Sequence, residues 1–301
     1  MRQAPLPVIL SCPHGGLEVP PQVAERLAVD RVTLYNDCDL WVDQLFDFGH
    51  PDLQPLIPAG VGSGVLAQVT MPIARALIDA NRPPDDLDNP DGAVKSMSSY
   101  GVPLYREPLE QELKQQLLDS YWRPYHQALA DALHRHAGQV KLLLDCHNMA
   151  QVGPSAYHKA GAPRPLICLG NGGDAQGEPR PGVPHVSCPP WLIQAAATLA
   201  AELFQDLPLL EPEAGIQPPV VAINDPYPGG YILRAYGPGG PLAPPDAPPA
   251  MMIEINRGLF VGNQRADTPM RPPHQERIHA IRERLYRWLL GVLDLLEAGS
   301  V

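Results

Sequence analysis

Three short apolar runs, each ending abruptly in polar residues, constrain this chain more than any other feature. They are "PVILSCPHGG" (residues 7–16), "KLLLDCHN" (141–148) and "AMMIEINR" (250–257). Apolar runs this short, bounded by turn residues, read as strands with both faces buried. Strands buried on both faces need helices above and below them. Helical patterns lie between the runs. Residues 37–49 suit a helix with Asp37 or Asp39 at its N-cap. A longer helix is expected over 108–136, broken near Pro124. Residues 190–206 and 273–297 predict two amphipathic helices, the first with an early proline. Further strands are expected at the end of 59–69, over 74–80, and over 164–170 and 218–224. The alternation argues for a three-layer α/β fold, a mixed central sheet flanked by helices. With no linker or repeat in view, residues 1–301 read as one domain.

Composition narrows the partners. The net charge is −11 and no Lys/Arg cluster occurs, which argues against nucleic acid and against an anionic membrane surface. A small anionic substrate stays open, because a few local arginines override a global field. Five cysteines without a CxxC pair argue against a disulfide framework. The apolar patch near the N-terminus is too short for a signal peptide and is broken by proline. No run approaches the roughly 20 apolar residues of a membrane span. A reducing, cytoplasmic location is the expectation. The 38 prolines cluster in loops at 81–90, 179–190, 238–249 and 268–273, where ordered functional loops or compositional bias both account for them.

In open α/β sheets ligands collect beyond the carboxyl ends of the strands. His14 and His147 stand at two such ends, and the glycines after His14 let the backbone turn away and leave the imidazole uncovered. Two imidazoles and a carboxylate suit a borderline-soft ion such as Zn²⁺ with one position open to water. The third donor has three candidates: Glu18, Asp37 and Asp39. Glu254 lies inside an apolar strand, where a carboxylate is costly unless paired. It reads either as half of a structural salt bridge or as a general base beside a metal. Asp145, two residues before His147 on the same strand face, is placed to orient an imidazole, and Cys146 points the other way into the core. "ARALIDANRPP" (74–84) supplies Arg75, Asn81 and Arg82, and Arg257 follows Glu254. Guanidinium groups match a substrate carboxylate bidentately, although single arginines more often pair with surface acids. "NDPYPGGYILRAYG" (224–237), with Asn224, Tyr227 and Tyr231, reads as a substrate loop with glycine hinges or as a plain hairpin. No GxSxG elbow and no nucleotide-binding glycine motif is present.

In chain order these pieces resemble the N-formylglutamate amidohydrolase family. The strand leading to Pro13, His14, Gly15 and Gly16, the Asp37-x-Asp39 pair, "DANRPP", "GVPLYREPL", "LLLDCHNM", "NDPYPGGYI" and "EINRGLF" carry the likeness over about residues 7–260. The resemblance implies a fold similar to zinc carboxypeptidase and phosphorylase/hydrolase-type metallohydrolases, with one Zn²⁺, or another divalent ion, per chain. It implies His14, His147 and an acid near the first helix as metal ligands, Asp39 fitting best and Asp37 second. Glu254 is then the general base and acid, Arg75 the oxyanion or carboxylate partner, and Arg82, Asn81, Arg257, Asn224 and Tyr231 substrate contacts. The implied activity is hydrolysis of an N-acyl amino acid, with N-formyl-L-glutamate the best substrate, in amino-acid catabolism such as histidine degradation. A peptidase or cell-wall amidase on the same scaffold, or a binding protein that has lost activity, are the alternatives. A monomer or small homo-oligomer is expected. The chain departs from the family pattern at Ala74, Ala76 and Asn148, positions expected near the substrate pocket.

Overall fold

The computed structural model describes residues 4–154, 159–183, 185–214 and 216–299. Strand β1 (Ala4–Cys12) enters the core at once, with Val8, Ile9 and Leu10 fully buried. Helix α1 (Arg31–Asp37) follows, then the single turn α2 (Val42–Leu45) and strand β2 (Val61–Thr70). A long helical passage comprises α3 (Gln111–Leu117), a π-turn over Leu118–Trp122, and α4 (Arg123–Arg135). Then come β3 (Leu142–Met149), β4 (Ile167–Gly170), α5 (Pro190–Phe204), β5 (Val221–Ile223), α6 (Tyr231–Tyr236), β6 (Ala250–Asn256) and α7 (Gln275–Ala298).

The six strands form one mixed sheet in the order β2-β1-β3-β6-β4-β5. All neighbours are parallel except β4 and β6, which run antiparallel. Side-chain alternation assigns the faces. Leu142, Leu144 and Cys146 join Met251, Ile253 and Ile255 under α2, α5 and α7. Leu143, Ala250 and Met252 meet α3, α4 and α6 on the opposite face. Asp145, His147 and Glu254 share the parity of that second face. The register pairs His147 directly with Glu254.

Three sequence expectations give way. The helix over 37–49 forms only as the single turn α2: α1 starts at Arg31, capped by the Asp30 side chain accepting from the Thr33 amide (2.9 Å), and ends at Asp37. The chain then unwinds through Trp41, which sits in the left-handed region (φ 65°). Asp37 and Asp39 therefore mark a helix end, not an N-cap. Residues 74–80 are not a strand. Turn bonds from Leu77 and Ile78 to the Ala74 carbonyl consume the amides a ladder needs, leaving only isolated bridges such as Gly16–Ala74. Pro124 does not break its helix. It occupies the first turn of α4 directly after the π-turn, whose wider winding tolerates the missing N–H.

Candidate metal centre and substrate cavity

The strand ends deliver their side chains to one point. His14 leaves the turn after β1, His147 leaves β3, and Asp39 leaves the loop after α1. Their donor atoms all lie within 4.8 Å of one another. The Nδ1 atoms of His14 and His147 are 3.0 Å apart, and Asp39 Oδ2 lies 3.3 Å and 3.0 Å from them. All three residues are buried. The loop bearing Asp39 is held on several sides. Its amide donates to the His14 carbonyl, Asn148 Nδ2 donates to the Leu40 carbonyl, and Arg257 Nη1 donates to the carbonyls of Asn36 and Cys38. Those carbonyls belong to a helix end that has no intrahelical partner for them.

Each imidazole has a carboxylate at its far nitrogen. His14 Nε2 lies 2.7 Å from Asp79 Oδ1, and His147 Nε2 lies 3.0 Å from Asp145 Oδ2. With each neutral imidazole donating its Nε2–H to its carboxylate, the Nδ1 lone pairs face each other and Asp39. Three such acceptors need a cation among them: in the metal-free protein a proton on His147 serves, and a Zn²⁺-type ion fits in its place. Charge agrees: Asp39, Asp79, Asp145 and Glu254 surround two imidazoles and the Arg75 guanidinium. Burial would push Asp39 up, but the hydrogen bonds and charges of the two imidazoles outweigh it and hold its carboxyl well below the usual range. Burial would likewise push His147 down, and Asp145, Asp39 and Glu254 instead raise it well above an ordinary imidazole. Asp79 is held low against its own burial by His14, Arg82 and Arg75.

A cavity of about 250 Å³ opens over this cluster. His14, Asp39, His147, Glu254, Arg75, Arg82, Asn81 and Arg257 all line it. Burial, the largest influence on Glu254, pushes its carboxyl up to about 7, while the His147 charge opposes the rise. Arg75 Nε meets Asp79 Oδ2 at 3.2 Å, and its Nη1 stands 3.8 Å from Asp37 Oδ1. Arg82 Nη2 pairs with Asp91 at 2.9 Å. Arg257 adds a bond to Gln264 Oε1, and its buried Nε has no hydrogen-bond partner among the described residues.

Other expected site residues lie elsewhere. Glu18 is exposed and outside the cluster. Asp37 lines the cavity, but its Oδ2 accepts from the Ser99 amide (2.9 Å). Asn224 sits outside the cavity in the left-handed region, its Nδ2 bonded to Asn171 Oδ1 and the Asp174 carbonyl. Its carboxamide ties two loops together. Tyr231 packs against Trp122 and His126, while Tyr227, four residues earlier, lines the cavity beneath the Arg164 guanidinium. The 224–237 segment is not a plain hairpin: its first part is a loop that lines the cavity from Pro226 to Gly230, and it leads into α6. Of the three departures, Asn148 lines the cavity, whereas Ala74 and Ala76 are buried in the core. Asp79 had no role in the sequence reading. Its signal was its spacing, four residues after Arg75 and two before Asn81.

Comparison with known proteins follows the same line. Residues 6–261 match the family model of N-formylglutamate amidohydrolase. A curated relative, N-formylglutamate deformylase of Pseudomonas putida, is 29% identical over 243 residues, covering 78% of this chain and 76% of that protein. A crystal structure of N-formylglutamate amidohydrolase from Ralstonia eutropha JMP134 aligns with a TM-score of 0.65 and 22% identity, over 98% of this chain and 96% of that one. At that identity the likeness is one of fold.

Proposed function

Because the chain belongs to the N-formylglutamate amidohydrolase family, we propose that it hydrolyses the amide bond of an N-acyl amino acid, with N-formyl-L-glutamate giving formate and L-glutamate as the best candidate. The observation that carries this is the convergence of His14, Asp39 and His147 beside Glu254 in one cavity. These three side chains are the proposed ligands of one zinc ion. Bound there, the ion supplies a Lewis acid for the amide carbonyl and a water of lowered pKa.

The chain's own groups do the rest. Glu254 takes a proton from the attacking water at its carboxylate and returns one to the leaving amine nitrogen. Its apolar strand setting and raised carboxyl suit that shuttle, since a base near 7 both accepts and releases protons at neutral pH. Asp79 and Asp145 keep the two imidazoles in one tautomer. Arg75 and Arg82 line the cavity, where a guanidinium fork suits the carboxylate of an anionic substrate. Arg75 is the proposed partner of the developing oxyanion or of a substrate carboxylate. Arg257 is assigned instead to the loop of Asp39, on the strength of its two carbonyl bonds. The cavity has room for a small amino-acid derivative.

The test is amine release from N-formyl-L-glutamate, N-formylglycine and N-acetyl-L-glutamate by metal-stripped protein reloaded with zinc. Zinc-dependent release, strongest with N-formyl-L-glutamate, is expected. No release from any of them with zinc, cobalt or manganese defeats the reading.

A further inference from the structure

We propose that Asn81 is a positioning residue that fastens the glycine turn at Gly229–Gly230 to Asp145, the carboxylate that orients the imidazole of His147. The wall that meets substrate and the ligand that holds metal then keep one geometry. This rests on the metal site proposed above.

The carboxamide of Asn81 is engaged at both ends within the protein. Its Oδ1 accepts from the Ile232 amide at 2.8 Å, and its backbone carbonyl accepts from the Tyr231 amide at 3.1 Å. These amides open α6 and follow the glycine turn directly. At the other end, Nδ2 donates to Asp145 Oδ2 at 3.1 Å and lies 3.2 Å from His147 Nε2. The Asn81 amide donates to Asp79 Oδ1 at 2.8 Å, the same oxygen that faces His14 Nε2. One residue thus touches the carboxylates behind both imidazoles and the start of the substrate wall. A buried amide with a protein partner at each polar end is held in one orientation.

The fit leaves no slack. A Cβ on Gly230 would lie 2.3 Å from Asn81 Oδ1 and 2.4 Å from its Cγ. The φ of Gly230 is not positive, so this close approach, and not backbone conformation, explains the glycine. Any side chain at 230 must push Asn81 toward Asp145 and His147, or push the turn away. Gly229 and Gly230 both line the cavity.

The test reads zinc affinity by competition with a chromophoric chelator, on stripped protein, at a temperature where circular dichroism shows each variant folded. Wild type, Asn81→Ala, Gly230→Ala and the double variant are compared. Partners behind a metal ligand are worth about 10–100-fold in metal affinity. A loss in that range is expected for Asn81→Ala and for Gly230→Ala. The double variant should bind no worse than Asn81→Ala, because the shortened side chain removes the clash. Such non-additivity is the signature of a shared contact. A merely structural role lowers the melting temperature and leaves zinc affinity of the folded protein unchanged. Wild-type affinity in both single variants, or additive losses, overturns the proposal. If Gly230→Ala does not fold, hydrogen exchange at the Ile232 amide decides. Zinc should slow that exchange in wild type and not in Asn81→Ala; exchange indifferent to zinc in wild type overturns the proposal. Failure of wild type itself to bind zinc removes the metal reading and this inference with it, a result distinct from the others.

Discussion

At the scale of single residues, Glu254 is the group whose setting departs furthest from its chemistry. A carboxylate between Ile253 and Ile255 on a central strand is unfavourable when ionised, and burial raises it to about 7 from an unfolded value of 4.5. The folded protein therefore holds more protons than the unfolded chain between those values, so stability falls as pH rises through that window. The roughly 2.5 pH units between these values, at 1.36 kcal/mol each, give about 3 kcal/mol. Metal-free Glu254→Gln should accordingly be more stable than wild type at pH 8, with the difference shrinking as pH falls and gone below the unfolded value of 4.5. Urea unfolding at the two pH values measures it, and equal stability at pH 8 would contradict the burial argument. In the zinc-loaded protein the same substitution should keep the metal and lower kcat by about two to four orders of magnitude, the usual worth of a positioned acid–base group; a near-normal kcat points to another base. Asp145→Asn exchanges an anion for a neutral amide behind His147 and should weaken zinc binding about 10–100-fold by chelator competition. Unchanged affinity would separate Asp145 from the metal. His14 and His147 were legible because each closes an apolar strand with an imidazole, whereas Asp39 stood among three candidate acids and only the family resemblance put it first. Asp79 was not, since its partner His14 is 65 residues away in the chain and only the folded strap brings them together.

At the scale of elements, the turn after β1 carries the strongest steric demand. A Cβ on Gly16 would stand 2.0 Å from the Pro72 carbonyl oxygen, against the backbone that follows β2. Gly16→Ala must therefore separate the two segments, and with them His14 from the strap that supplies Asp79. A loss of roughly 3 kcal/mol or more is expected for metal-free protein, at the diagnostic end of single substitutions. Gly49→Ala, whose Cβ would meet only ordinary contacts at 3.5 Å and beyond, serves as its control for replacing a glycine of non-positive φ. Equal losses in the two variants would remove the steric explanation. The elements themselves were legible where periodicity or burial is strong, as in β1, β3, β6, α5 and α7. Residues 37–49 failed because apolar spacing does not register a helix that ends at Asp37 with its carbonyls gripped by Arg257. Residues 224–237 left loop and hairpin both open for a related reason. Glycine and proline announce a turn without saying which tyrosine it turns inward, and Tyr227 rather than Tyr231 faces the cavity.

At the scale of the molecule, layering followed from strands too apolar to leave a face in water, but strand order did not. Nothing local in "RPLICLG" says that β4 runs antiparallel beside β6, because that choice depends on where long loops return the chain. The two apolar clusters share the strands β1, β3 and β6, each contributing alternate residues to both faces. Neither cluster can lose its helices without exposing the sheet that floors the other. We propose on this ground that the chain unfolds as one cooperative unit, and that the metal site, set at the ends of the shared strands, stabilises both faces together. Trp288 reports on one cluster and Trp122 on the other. Variants with Trp41 and Trp191 replaced and only one of these two tryptophans kept should show coincident urea midpoints, matching that of circular dichroism. A ligand that binds only the folded state stabilises it by about 2.7 kcal/mol at 100 times its Kd. Free zinc at that level should move both midpoints equally, and a chelator should reverse the shift. Two separated transitions, with zinc moving only one, would divide the chain into independent parts and place the metal in just one of them.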